Sequence, residues 1–248
     1  MKKVWWLAAL GILAFVLFAV ATLPASVLTS QLEKQGIFLS GVSGSVWNGA
    51  AQVVQSGAVR VGSVEWNLHP LALFRGRAAA DVKLTRVDGF ARGYVEARGS
   101  GRVVLRDASG SLPLAVLPPS FVAGGWTGNL NLRLDSVDIV DRWPASIVGT
   151  IEVKNLIGPA RKPAALGSYK LVFPEQPAPD VLAAALTDLG GPLQLAGTLQ
   201  LKAADRSYVL DGLIAARPEA TADMVNSLQF LGPPDAQGRR QISLQGTM

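Results

Sequence analysis

From Ile37 onward the chain alternates apolar and polar residues with a period of two, and glycine recurs where the alternation stops. Successive strand side chains point to opposite faces, so this pattern reads as half-buried strands, and helical bundles rarely show it. "VRVGSVEWNL" places Val64, Trp66 and Leu68 on one face and Glu65 and Asn67 on the other. Val82, Leu84 and Arg86 oppose Asp81, Lys83, Thr85 and Val87, and Leu130, Leu132 and Leu134 alternate with Asn131, Arg133 and Asp135. The expectation is a mainly β fold, a long antiparallel meander with a few short helices. Charged residues are only 17% of the chain against 26 glycines and 15 prolines, so turn chemistry rather than charge separates the apolar runs.

Asn48-Gly49 lies between two such runs and reads as a hairpin turn, because both centres of the tight turn need positive φ. "HPLALFRG" reads as a one-turn helix started by Pro70 and closed by Gly76. "SLPLAVLPPSF" reads as a buried turn or short helix. "DVLAAALTDL" stays open between helix and strand, and the strand count from Pro144 to Leu189 stays open with it. Gly128, Gly191 and Gly197 each open a Gly-x-Leu-x-Leu element, read as hairpin punctuation. Met224, Val225, Leu228 and Leu231 predict a helix capped by Thr221 and stopped by Gly232.

Before the strands, Val4 to Leu23 is a run of twenty uncharged residues. As a helix it spans about 30 Å, the hydrocarbon thickness of a bilayer. Lys2 and Lys3 precede it, so residues 1–3 are expected in the cytoplasm, 4–23 across the membrane and 24–36 in a juxtamembrane helix or linker. Residues 37–248 then form the exported β domain. Ala19-Val20-Ala21 offers the alternative of a cleaved signal peptide, although the apolar run exceeds the usual signal length.

Reactive side chains are sparse. With no cysteine there is no disulfide, thiol nucleophile or Cys-ligated metal, and His69 is the one histidine, so a His-pair metal site is excluded. A triad would depend on His69 alone, and a carboxylate hydrolase would need two Asp or Glu facing one cleft. Neither a phosphate loop nor a dinucleotide fingerprint is present. The net charge of +5 comes from dispersed Lys and Arg, which reads as a solvated surface rather than a nucleic-acid site. No cofactor or metal is expected.

Four stretches in order, "GVSGSVWNG", "VEWNLHPLALFRGR", "GGPLQLAGTLQL" and "SLQFLGPPDAQGRRQISLQGTM", resemble the type II secretion system protein N family, also called general secretion pathway protein N. The resemblance implies a non-enzymatic accessory subunit in the inner membrane of a Gram-negative bacterium, with its bulk in the periplasm. It implies a scaffold or adaptor whose partners are other secretion subunits and, through the N-terminal helix, the bilayer. It also implies a curved antiparallel sheet like that of AsmA-like and bridge-like lipid-transfer proteins, with lipid as a possible ligand in an apolar groove. No catalytic residues are carried over.

The motif residues have structural roles to fill. Gly44 and Gly49 are expected to permit turns, with Asn48 beside them, while Trp47 and Trp66 supply apolar area to neighbouring strands. Pro70 starts its helix, Gly190, Gly191 and Pro192 start a hairpin of Leu193 to Leu201 containing Gly197, and Gly232 and Pro233 end the last helix.

Overall fold

In the computed structural model, the described residues are 15, 18–34, 36–57, 59–117, 125–159, 164–174 and 181–247. Among them, thirteen strands form an antiparallel meander whose strand order is the sequence order. The chain divides into two compact units, Met1–Arg86 and Val87–Met248.

The first unit holds β1 (Ile37–Gly44), β2 (Asn48–Ser56), β3 (Val59–Leu68) and β4 (Arg77–Arg86), with α1 (Val27–Glu33) before the strands and α2 (Pro70–Leu73) between β3 and β4. The expected membrane span, 4–23, falls largely outside the described residues. Phe15 and residues 18–21 are helical, and among the described residues no helix is long and apolar enough to cross a membrane.

The β1–β2 turn corrects the sequence expectation. It occupies Ser45 to Trp47, and Asn48 and Gly49 already belong to β2. The Ser45 N–H donates to the Asn48 carbonyl at 2.8 Å, and the Asn48 N–H donates to Ser45 Oγ at 3.1 Å. Positive φ falls on Gly44 (+83°) rather than on Asn48 or Gly49. Gly49 is needed for a different reason: it pairs with Trp66, whose Cζ2 would lie 2.5 Å from an added Cβ. The conformation expected there occurs instead at Asp141 and Arg142, with φ of 51° and 65°, joining the paired residues Val140 and Trp143.

The second unit holds β5 (Gly89–Arg98), β6 (Arg102–Pro113), β7 (Thr127–Val140), β8 (Trp143–Ile157), β9 (Ala165–Phe173), β10 (Val181–Asp188), β11 (Leu193–Lys202), β12 (Ser207–Ala216) and β13 (Arg240–Thr247). A short 3-10 turn, Leu114–Val116, follows β6, and α3 (Ala222–Gln229) lies between β12 and β13. The Ala-rich "DVLAAALTDL" run resolves as a strand because Leu182, Ala184 and Leu186 alternate as its buried side chains. Residues 118–124 and 175–180, parts of two segments singled out from sequence, lie outside the described residues.

One apolar face is kept across this unit by extra residues placed side by side. On β7, Leu130, Leu132 and Leu134 share a face through their cross-strand partners, and beyond Asp135 the same face continues with Val137 and Ile139. The register slips by one residue at that point against β8 and at the neighbouring Asp107 of β6 against β5. Asp107 itself takes a φ of 50°. A one-residue slip exchanges the faces of a strand, so these bulges keep Val103, Leu105, Val137 and Ile139 with the leucines instead of sending them to the polar side.

Gly197 is another correction. It lies inside β11 opposite Gly212, not at the start of a hairpin, and Leu193 to Lys202 is a single strand. An added Cβ would meet the Asp211 carbonyl and come within 2.9 Å of Gly212 Cα, so the close backbone approach demands the small residue.

The core gathers on the apolar face. Trp143, Phe173, Leu182, Ala184 and Leu201 form one cluster, with Ile147, Ile151, Leu171, Leu199 and Tyr208 packed on it. The second cluster joins Leu193 and Ile214 to Leu228 of α3. Thr221 caps that helix, its Oγ1 accepting the Met224 N–H at 3.4 Å. The sheet is bent in this region: Arg206, between β11 and β12, donates from Nη2 to the Asp141 carbonyl between β7 and β8 at 3.4 Å. In a flat sheet four strand spacings, about 19 Å, would separate those turns.

Candidate functional site

Two surfaces stand out, one in each unit. In the first unit, Gly44, Trp47, Asn48, Gly49, Trp66 and Pro70 come together at one end of the strands, where the N-terminal segment meets the sheet. Pro24 bridges to Ser45, the Ala25 N–H donates to the Gly44 carbonyl at 3.1 Å, and the Val46 N–H donates to the Leu23 carbonyl at 2.9 Å. Both indoles are fastened here. Trp47 Nε1 donates to the Val20 carbonyl at 2.8 Å, and Trp66 Nε1 donates to the Val46 carbonyl at 3.0 Å. Trp47 is half-buried, so it combines partial packing with its hydrogen bond to the N-terminal segment.

The next turn continues this end. The Leu68 N–H donates to the Trp47 carbonyl at 2.6 Å, and His69, extended at φ −88° and ψ 99°, precedes Pro70 at the start of α2. His69 Nε2 lies 2.8 Å from Asp81 Oδ2. That contact is a partly exposed pair between the residue that follows β3 and a residue of β4. It ties the loop to β4.

In the second unit, the face opposite the leucines carries a shallow depression of about 510 Å³ across β5 to β9. Arg92, Arg133, Lys154 and Lys170 line it with one carboxylate, Glu152, and Phe90 forms part of the wall. Lys154 and Lys170 lie 3.8 and 3.6 Å from the Glu152 oxygens, so that carboxylate is shared between two cations. The arrangement is suited to an anionic or acidic surface. It lacks the separated acid and base of a hydrolytic site.

Elsewhere on that polar face, Glu96 is only 3% exposed, with its Oε1 accepting from Arg98 Nε at 2.9 Å. Nearby, Arg102 Nε donates to Asp138 Oδ1 at 2.8 Å. Each of these carboxylates is held by a guanidinium, the arrangement of a structural ion-pair network. Among the described residues, no three His, Asp or Glu side chains gather in a form that could hold a metal ion.

The remaining motif residues are dispersed over the second unit. Gly190, Gly191 and Pro192 form the turn before β11, and Arg217 clasps it, donating from Nη1 to the Gly191 carbonyl at 3.0 Å and from Nη2 to Asp188 Oδ1 at 2.6 Å. The Asp188 side of this clasp was invisible in sequence because its partner is 29 residues away. Tyr169 lies in the same neighbourhood. Burial first, and the Asp188 charge second, push its phenol above the ordinary value, with Arg217 opposing, and its hydroxyl donates to the Leu166 carbonyl at 2.6 Å. Gly232 follows α3, and the Arg240 guanidinium donates to its carbonyl; Pro233 comes next in the extended connection to β13.

A single amphipathic meander that offers an aliphatic face, a cationic depression and a tightly tied sheet end defines a sheet protein of the surface-presenting kind. Residues 35–243 match the family model of Type II secretion system (T2SS), protein N, and the chain belongs to that family. It is 27% identical over 259 residues to the Type II secretion system protein N of Aeromonas hydrophila, covering 99% of both chains. A shorter stretch of 68 residues, 27% of each chain, is 37% identical to the Type II secretion system protein N of Vibrio cholerae serotype O1. No solved structure matches. Membership makes the chain a component of type II secretion and of protein transport.

Proposed function

We propose that this protein is a non-enzymatic scaffold or adaptor of type II secretion. In this reading Val4 to Leu23 holds it in the inner membrane, residues 1–3 are cytoplasmic, and the sheet from residue 37 onward works in the periplasm. The observation that carries it is the extent of the family match, which runs over the described strands rather than over one local motif. The cationic depression supports a partner-facing role for β5 to β9, because four cations against one carboxylate favour an acidic surface.

In-cell photo-crosslinking tests this directly, with the reactive residue at Asn67, Arg133 or Gln194, all exposed. The expected products are adducts with other secretion subunits, strongest from Arg133. Capture of lipid alone, or of no secretion subunit, would remove the adaptor assignment.

A second reading, a lipid-handling sheet, is favoured by one feature. The aliphatic face extends from β5 to β13, and α3 packs on its β11–β12 end. Native mass spectrometry of protein extracted from membranes separates the two readings: co-purifying lipid in the second unit belongs to this one.

A further inference from the structure

We infer that the β3–β4 loop is a second membrane contact, lying against the bilayer surface beside the N-terminal segment. The inference rests on the membrane-span reading of Val4 to Leu23. Its own evidence is the chemistry and position of α2 and the residues that follow it.

Leu71 and Phe74 are 75% and 88% exposed, and Leu73 is exposed beside them. Leu71 and Phe74 are separated by one helical turn and lie on the same side of α2. Such a cluster on a four-residue helix has no core to join, and exposed clusters of large apolar side chains mark a surface that meets another phase or partner. Arg75, also exposed, follows them and brings a positive charge to the same tip.

Position selects the occupant. The loop projects from the end of the strands that receives the N-terminal segment. Val20 accepts the Trp47 indole N–H, Leu23 accepts the Val46 N–H, and the Trp47 carbonyl accepts the N–H of Leu68, the last residue of β3. Two strand spacings, about 10 Å, separate the β1–β2 turn from this loop. Phe15 and Phe18, at the described end of the apolar run, are themselves 71% and 68% exposed. If that run is in lipid, the loop stands at headgroup level. Leucine and phenylalanine then enter the acyl boundary, and arginine reaches anionic headgroups, the division of labour of an interfacial segment. Two contacts at one end would also fix the tilt of the first unit, which one helix and a linker would leave free.

The chain has no cysteine, so a single one can report its own position. Full-length Phe74→Cys, Phe18→Cys and Arg60→Cys, each carrying an environment-sensitive fluorophore, would be reconstituted in vesicles of phosphatidylethanolamine and phosphatidylglycerol. Lipids bearing a nitroxide at a shallow or a deep acyl position supply the quencher. Arg60 is eight residues along β3 from Leu68, about 26 Å away, and serves as the control outside the lipid. The expected result is strong shallow quenching at Phe74, deep quenching at Phe18 and none at Arg60. Quenching at Phe18 with none at Phe74 overturns the loop contact while leaving the membrane span intact. Quenching at neither overturns both, and a blue-shifted but unquenched Phe74 probe overturns it in favour of a protein partner.

Discussion

The indole of Trp47 and the carbonyl of Val20, 27 residues apart, are joined by a 2.8 Å hydrogen bond that fastens the N-terminal segment to the sheet. An indole N–H is a donor only, and phenylalanine keeps most of the ring while removing it. Trp47→Phe is therefore expected to lower the stability of the first unit by roughly 1 kcal/mol, the usual net worth of one hydrogen bond. Because Trp47 is half-buried, Trp47→Ala should cost less than a full core truncation. Denaturant melts of the three proteins check both; equal stability of Trp47→Phe and wild type would show that the bond contributes nothing.

Arg142 occupies a left-handed conformation at φ 65° next to Asp141 at 51°. A side chain there costs about 1 to 2 kcal/mol that glycine avoids. Arg142→Gly creates the Asp-Gly pair preferred in such hairpins, and should raise stability by about 0.5 to 1 kcal/mol after the added chain entropy of glycine is subtracted. Thermal unfolding measures this, and a lower melting temperature counts against the turn geometry.

Deleting Asp135 removes the extra residue of β7 and should be far more damaging than truncating its side chain. Val137 and Ile139 would be driven to the polar face, or the β7–β8 pairing would slip. The expected loss is on the order of 3 kcal/mol, buried Val137 and half-buried Ile139 being exposed. Asp135→Ala should be nearly silent. If deletion and substitution melt alike, the bulge does not set the register.

Tyr169 gives a pH dependence with a definite sign. Its folded phenol titrates above the unfolded one because burial, and then Asp188, disfavour the anion. The folded state thus holds the proton more tightly. The resulting stability is fully present below the unfolded value of about 10 and is lost as pH rises through the folded one. Absorbance titration of tyrosinate, alongside melts at rising pH, should show a late-ionising tyrosine that disappears in Tyr169→Phe. Loss of stability beginning well below pH 10, and retained in Tyr169→Phe, would assign the transition to other groups.

The strands were legible where alternation was uninterrupted, as in Val64 to Leu68 and Leu130 to Leu134, because period two follows from strand geometry alone. The α3 cap at Thr221 was legible too, since it needs only neighbours in sequence. Asn48-Gly49 misled because glycine serves two unlike demands, positive φ and room for a neighbour, and only the cross-strand position of Trp66 distinguishes them. The bulges did leave a trace, the polar doublets Arg106-Asp107 and Asp135-Ser136, where strict alternation would have required one polar residue. The Asp188–Arg217 clasp left none. Its partners meet only after β11 and β12 have formed between them. At the candidate site, residue types were readable, but the gathering of Arg92, Arg133, Lys154 and Lys170 depended on the register of five strands.

Strand order that repeats sequence order has a consequence for how such a chain is made. Each strand pairs with the one delivered just before it, so no pairing waits for a distant segment and loop-closure costs stay small. A chain whose strands emerge from a narrow channel in sequence order can therefore add its sheet one hairpin at a time, always sheltering the previous edge with the next strand. The growing end is the only edge that changes, which makes the meander a structure suited to assembly during passage rather than after it.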